Sequence, residues 1–390
     1  MQKNSKTTVL LLTAGCFLAF FVFGFTDNLK GTTLPAMLAE MRITPGVGGN
    51  IFFGEYLGFL IATLITGILA DKFGIKTVVI LAGASMFLGV GGYSAFASTW
   101  LLSASLFVLG LGLGALELGP NALIVSLHHE RKGLFLNLMA VMHGLGSMIS
   151  PLVAGWLLSV DVTWRVIYRW DLLLILAFML AFVALRFPRS EEKSTLDFRE
   201  IPRIAFKGRL PWFHAAIGLY VAAEIGLSSW LVTFLQAEHG YSVTASSRAL
   251  SLFFATLMLG RLLGGFVVHR IGYLRSILAA SIGGAACFAL GLLGPGDLSL
   301  LLPLTGLFFS IIFPTITAAV TDTHTQNINT VLGVLYTFAG LGALIGPWLV
   351  GWGIDLLGHR AGFAIILVMA LLTLASIYTL WKGKPHDQTA

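Results

Sequence analysis

Twelve long apolar runs follow one another along this chain, and each is long enough to cross a bilayer as a single helix. They lie at about 9–40, 47–70, 75–97, 100–128, 133–159, 166–187, 211–238, 244–268, 273–294, 298–322, 328–356 and 361–381. One spanning helix needs roughly 20 apolar residues. Hydrocarbon offers no water to satisfy a backbone, so such a run crosses as a helix with its amide groups paired internally. Composition agrees, with 57% of the 390 residues hydrophobic and 11% charged, against about 25% charged in a soluble domain. So few charges cannot cover a water-facing surface. The 45 glycines suit helices that pack closely in lipid, where no hydrophobic force drives them together. The expected fold class is an all-α membrane protein of twelve transmembrane helices.

The polar residues between the runs give an orientation and a division. Lys3, Lys6, Lys72, Lys76, Arg131, Lys132, Arg270, Arg275, Lys382 and Lys384 fall on one side, and Arg42, Arg165, Arg169, Arg248 and Arg360 on the other. Lysine and arginine accumulate on the cytoplasmic face, so both termini are expected in the cytoplasm of a bacterial-type inner membrane. The net charge of +6 is spread over these loops. That pattern points to a lipid bilayer as partner and away from nucleic acid. Pro188 to Arg209 is the only long polar stretch, with Ser190-Glu191-Glu192-Lys193 and Arg199-Glu200. It predicts two six-helix bundles, 1–188 and 210–390, joined by a cytoplasmic linker at 189–209. Cys16 and Cys287 lie in apolar runs and read as small buried hydrophobes. The first run is too long for the apolar core of a signal peptide.

The two halves resemble each other. In the fifth run Gly144-Leu145-Gly146-Ser147-Met148-Ile149-Ser150-Pro151 is followed by Gly155-Trp156. In the eleventh, Gly340-Leu341-Gly342-Ala343-Leu344-Ile345-Gly346-Pro347 is followed by Gly351-Trp352. The offset is constant at 196 (340 − 144, 347 − 151, 352 − 156). Internal repeats of this kind are how many transporters build alternating access. Two pseudo-symmetric bundles are therefore expected.

After the second run comes Gly67-Ile68-Leu69-Ala70-Asp71-Lys72-Phe73-Gly74-Ile75-Lys76. It resembles the cytoplasmic G-x-L-A-D-R-x-G-R-K signature of the major facilitator superfamily. Gly67 is expected to let neighbouring helices approach, and Asp71 to cap or pair across helix ends. Lys72 and Lys76 are expected at the cytoplasmic interface. A degraded copy follows the eighth run as Gly265, His269-Arg270, Gly272 and Arg275. Gly67, Asp71, Lys72, Gly74, Lys76, Arg131 and Arg270 are the residues expected to gate the conformational change. Further strings are similar to the fucose–galactose–glucose:proton symporter family. They are Leu34-Pro35, Gly112-Leu113-Gly114-Ala115-Leu116-Glu117 with Asn121, Leu136-Asn137-Leu138, Tyr220-Val221, Gly260-Arg261 and Pro314-Thr315. The resemblance implies the major facilitator fold and proton-coupled uptake of a monosaccharide.

An ionisable group inside a span is costly and is by default a functional candidate. Glu117 is embedded in Leu, Gly and Ala, and burial favours its protonated form. The resemblance implies that an acid here contributes to coupling and solute binding. Asp27 and Lys30 share a helix face at i,i+3 and can pair. The resemblance puts Gly31 where the family has an essential acid, and Asp27 can supply that carboxylate one turn earlier. Lys30 can neutralise Asp27 or Glu117, or attract an anionic solute. Glu224 lies near the half-repeat counterpart of Asp27 (27 + 196 = 223). It suits either a second proton site or a place at the outer interface, where Glu55 is also expected. Asn28, Asn121, Asn137 and His143 offer polar edges to a solute, although Ala140 stands where the family has a sugar-binding Gln. His143 titrates near neutrality and suits either coupling or packing. Tyr220, Trp230, Tyr336 and Phe313 can stack on a sugar face.

The chain shows no metal-ligand spacing, nucleophile elbow or phosphate loop, so neither an enzyme nor an ATP-driven pump is expected. The expected function is secondary transport of a small-molecule substrate, a sugar or sugar derivative, by a monomer driven by the proton gradient and without a cofactor. Sodium is the alternative ion, ligated by Asp27 with Asn28. An anionic sugar, a small organic acid or drug efflux are the alternative solutes.

Overall fold

The structure is a computed structural model that describes residues 6–183, 187, 206–323 and 328–382, apart from the side chain of residue 329. Lys3, Lys384 and the linker residues Ser190, Glu191, Glu192, Lys193, Arg199 and Glu200 lie outside the described residues. Twelve helices are long and apolar enough to cross a membrane. Eleven of the twelve are unbroken α-helices: Lys6–Met41, Pro45–Phe73, Ile75–Ala95, Thr99–Leu127, Lys132–Ser159, Trp164–Val183, Leu210–His239, Val243–Ile271, Tyr273–Leu293, Ile328–Leu357 and His359–Lys382. The tenth span is broken. It begins as a 3-10 helix, Gly296–Leu301, and continues as Thr305–Phe309 and Ile312–Thr323. Pro303 falls in its first break, where a missing backbone N–H interrupts the ladder. The all-α twelve-helix expectation is borne out, with ends within a few residues of those read from hydropathy.

Connections are short enough to force neighbouring helices antiparallel. Gly74 alone joins the second helix to the third, and Gly272 alone joins the eighth to the ninth. Their backbones match at φ +84° and +81°, a left-handed region that only glycine enters without a steric cost. The loop motif and its degraded copy therefore fold into the same turn.

Packing divides the chain into two compact units, Met1–Ser194 with Tyr241–Ser251, and Thr195–Gly240 with Leu252–Ala390. In the first, helix one lies along helix five, helix two along helix four, and helix three against helices four and six. In the second, helix seven lies along helices eleven and twelve. The repeated glycine strings sit at the equivalent contacts. A Cβ on Gly146 would run into the carbonyl oxygen of Phe21 on helix one, and a Cβ on Gly342 into that of Gly218 on helix seven. These pairs keep the repeat offset to within one residue (342 − 146 = 196, 218 − 21 = 197). Gly67 behaves otherwise: a Cβ there meets nothing within 4 Å, so the expected close helix approach at Gly67 is not present. Asp71, on the exposed last turn of helix two, makes no ion pair among the described residues.

Gly146→Val and Gly342→Val are each expected to destabilise the protein by about 1–3 kcal/mol, the usual cost of overpacking. The melting temperature in detergent should fall in both and stay unchanged in Gly67→Ala.

Candidate solute and proton site

Helix one carries its polar residues on distinct faces. At about 100° per residue, Thr26, Lys30 and Thr33 form one stripe, Asp27 lies beside it, and Asn28 points away. Lys30 is 5% exposed and its Nζ stands 2.5 Å from Asp27 Oδ1 and 2.7 Å from Glu55 Oε1. The ammonium also lies 4.5 Å from the centroid of the Tyr56 ring. Asp27–Lys30 pairing was expected from the spacing. Glu55, expected near the outer end of its span, lies ten residues inside helix two. It is 1% exposed and shares the ammonium. Gly54 and Gly58 flank it and let helix four close in, because a Cβ at either would strike the backbone of Ser103 or Phe107.

The carboxylate partners of Lys30 among the described residues are Asp27 and Glu55. The cation at Asp27 is an ammonium, and Asn28 donates its amide to the Gly24 carbonyl at 2.9 Å and to Ser147 Oγ at 3.0 Å. The Ser147 bond ties helix one to helix five. His143 on helix five stands edge-on to Phe23, with ring centroids 4.8 Å apart.

Glu117 is half-buried on helix four, ten residues before its end at Leu127. Its carbonyl accepts the Asn121 amide at 2.6 Å, so Asn121 is turned onto its own helix. Asn137 is exposed, five residues into helix five. These three lie toward the end of the first unit where the chain enters at Lys6, whereas Lys30 and Glu55 lie toward the opposite end. Lys76 Nζ donates to the Val183 carbonyl at 3.0 Å, tying helix three to the end of helix six. Lys72 lies over the ring of Phe73, while Arg131 and Arg270 are exposed.

In the second unit Glu224 stands at the middle of helix seven, with Oε1 4.0 Å from Nη2 of Arg261 on helix eight. Tyr220, one turn earlier, is 1% exposed. Trp230 is fully buried and donates Nε1–H to the Pro347 carbonyl at 2.9 Å. Both aromatics are buried among the helices. Tyr336 remains open, exposed at the surface of its unit and stacked parallel on Phe313 with centroids 5.7 Å apart.

Asp171 on helix six was missed entirely. It is 1% exposed and accepts the Thr26 hydroxyl at 3.1 Å. Asp171 lies seven residues inside helix six and Glu55 ten inside helix two (171 − 164 = 7, 55 − 45 = 10). The glycines bracketing Glu55 were the signal that could have found it. Asp171 had none but its charge.

Two helical units that hold ion pairs among membrane-spanning helices define the architecture of a secondary transporter. The family model described as Major Facilitator Superfamily matches residues 16–327, and the chain belongs to that family. It is 23% identical over 356 residues to the cis,cis-muconate transport protein of Acinetobacter baylyi, covering 86% of this chain and 85% of that one. It is 24% identical over 357 residues to the L-fucose-proton symporter of Escherichia coli, covering 80% of each. A crystal structure of a variant of the nucleoside transporter NupG superposes with a TM-score of 0.81 at 14% identity, over 96% of this chain and 99% of that one. The family resemblance read from the sequence is thereby borne out.

Removing one partner of a buried ion pair leaves the other charge stranded, at a cost of roughly 3–5 kcal/mol. Lys30→Met is expected to lower the melting temperature in detergent strongly in neutral buffer. The loss should shrink in acid buffer, where the stranded carboxylates take up protons. Equal melting of variant and parent at both pH values would show that the ion pair adds no stability.

Proposed function

We propose that this transporter is a proton-coupled symporter that takes up a small polar solute of the monosaccharide class by alternating access. The observation that carries this reading is the shared ammonium of Lys30. Two carboxylates meet one cation inside the helices, so the cluster has one negative charge more than it can pair. A proton on either acid makes it neutral, and loss of that proton restores the charge. A group of this kind loads and unloads protons according to the side of the membrane it faces. Glu117 adds a half-buried carboxylate on helix four, within reach of solute and proton as the bundle opens. The open ring of Tyr336 suits the apolar face of a sugar. Likeness to the L-fucose-proton symporter supports the same solute class. By the positive-inside rule both termini face the cytoplasm, the linker at 189–209 joins bundles 1–188 and 210–390 there, and the protein acts as a monomer.

A second reading has a specific observation behind it. Cis,cis-muconate, the solute named for one relative, is a dicarboxylate, and Arg261 offers it a cation. The Arg261 side chain is 38% exposed and only loosely paired with Glu224. In this reading Arg261, and not the enclosed Lys30, meets the solute.

Charge movement in proteoliposomes on a solid-supported membrane separates the two. Neutral hexoses or fucose are expected to evoke a current that grows with the proton gradient and vanishes in Glu55→Gln and Glu117→Gln. Silence with neutral sugars, together with a response to dicarboxylates that Arg261→Gln abolishes, would replace the sugar with an organic acid.

A further inference from the structure

The first unit holds a buried acid outside the Lys30 cluster. Asp171 receives one hydrogen bond, from the Thr26 hydroxyl to Oδ1. Its Oδ2 is buried with no hydrogen-bond partner among the described residues, and no described cation lies within ion-pair distance. The titratable side chains on the elements packed against it include Asp27 and Lys30 of helix one, Tyr93 of helix three and His143 of helix five, with Arg165, Tyr168 and Arg169 on its own helix. None of them hydrogen-bonds to Asp171 among the described residues. An ionised carboxylate in this setting has one neutral donor and no counter-charge, and a group so placed takes up a proton instead.

The position of Asp171 links it to the cluster already described. Thr26 directly precedes Asp27 and stands one turn before Lys30 on the same helix stripe. Farther along that stripe Thr33 meets the Tyr168 hydroxyl at 3.5 Å. Helix six therefore rides along the stripe that carries Lys30, with Asp171 at one end of the contact and Tyr168 at the other.

We propose that Asp171 is a second proton-binding site of the first bundle, held as a neutral carboxylic acid in this conformation and exchanging its proton during transport. This rests on the proton-coupled reading above. The Thr26 hydroxyl donates to Oδ1 and the acid's own proton sits on Oδ2. Deprotonation passes that proton from Oδ2 to water and leaves a carboxylate, which requires helices one and six to part at Thr26.

Asp171→Asn keeps the shape of the side chain and the Thr26 contact while removing the titratable proton. In the infrared difference spectrum of the purified transporter between acid and alkaline buffer, this variant is expected to lose one protonated-carboxyl C=O band. Glu55→Gln should remove a different band. In proteoliposomes Asp171→Asn is expected to retain solute counterflow and to move fewer protons per solute, read as charge moved over solute flux. A difference spectrum unchanged by Asp171→Asn, or an unchanged proton-to-solute ratio, would overturn the assignment. If Asp171→Asn does not fold, Thr26→Val supplies the test. Losing the only donor to Oδ1 should raise the frequency of the same band, and no displacement of any band would again overturn it. A parent protein that moves no protons with any solute would sink the symport reading, while the infrared band still decides whether Asp171 binds a proton.

Discussion

The first unit is organised around one ammonium group held between two carboxylates away from water. Bringing an ion into such a place costs several kcal/mol after relaxation, so Lys30 persists there only because Asp27 and Glu55 both reach it. That requirement constrains the backbone. Glu55 comes from helix two, and it arrives because Gly54 and Gly58 let helix four press close behind it. Asn28, on the other face of helix one, anchors the same segment to helix five through Ser147. The charge cluster and the helix packing are therefore one construction, and a change at any of these positions is felt at the ammonium.

The second unit repeats the frame without repeating the chemistry. Gly342 meets helix seven as Gly146 meets helix one, and Gly272 turns the chain as Gly74 does. The charges laid on this frame differ. Glu224 faces Arg261 at 4.0 Å across two helices, in place of a fully enclosed cluster. Backbone contacts of this sort tolerate little besides glycine, whereas polar side chains on the same scaffold are free to diverge. A pseudo-symmetric transporter can in this way keep its mechanics in both halves and give them separate electrostatic roles.

Hydropathy made the twelve spans legible because lipid leaves a helix no alternative. The repeated Gly-Leu-Gly strings announced a packing contact, and the i,i+3 spacing of Asp27 and Lys30 announced a pair. What stayed illegible depended on partners distant in the chain. Glu55 lies near enough to its span end to read as interfacial, and only the approach of helices one and four shows that it is buried, while Asp171 is buried where helix six meets helices one and three. Trp230 read as a stacking platform because its type suits one. Its indole N–H is instead spent on the Pro347 carbonyl. Gly67 read as a close-packing glycine from its motif, yet the space beside it is open. Residue type gave the chemistry available at each position, while the tertiary contacts decided its use.

The charge balance of the first unit carries one more consequence. Glu55 and Asp171 are buried acids of its helices, Asp27 is a half-buried one, and Lys30 is the one buried Lys or Arg among the described residues. Arg165 is spoken for by Glu40 near the end of helix one. Three carboxylates against one ammonium cannot all stay ionised where water is excluded, since each unpaired charge would bear its full desolvation cost. On the proton-coupled reading proposed above, protons make up the difference in the enclosed state and leave when those acids are hydrated in another, and a solute that favours one of the two states becomes coupled to them.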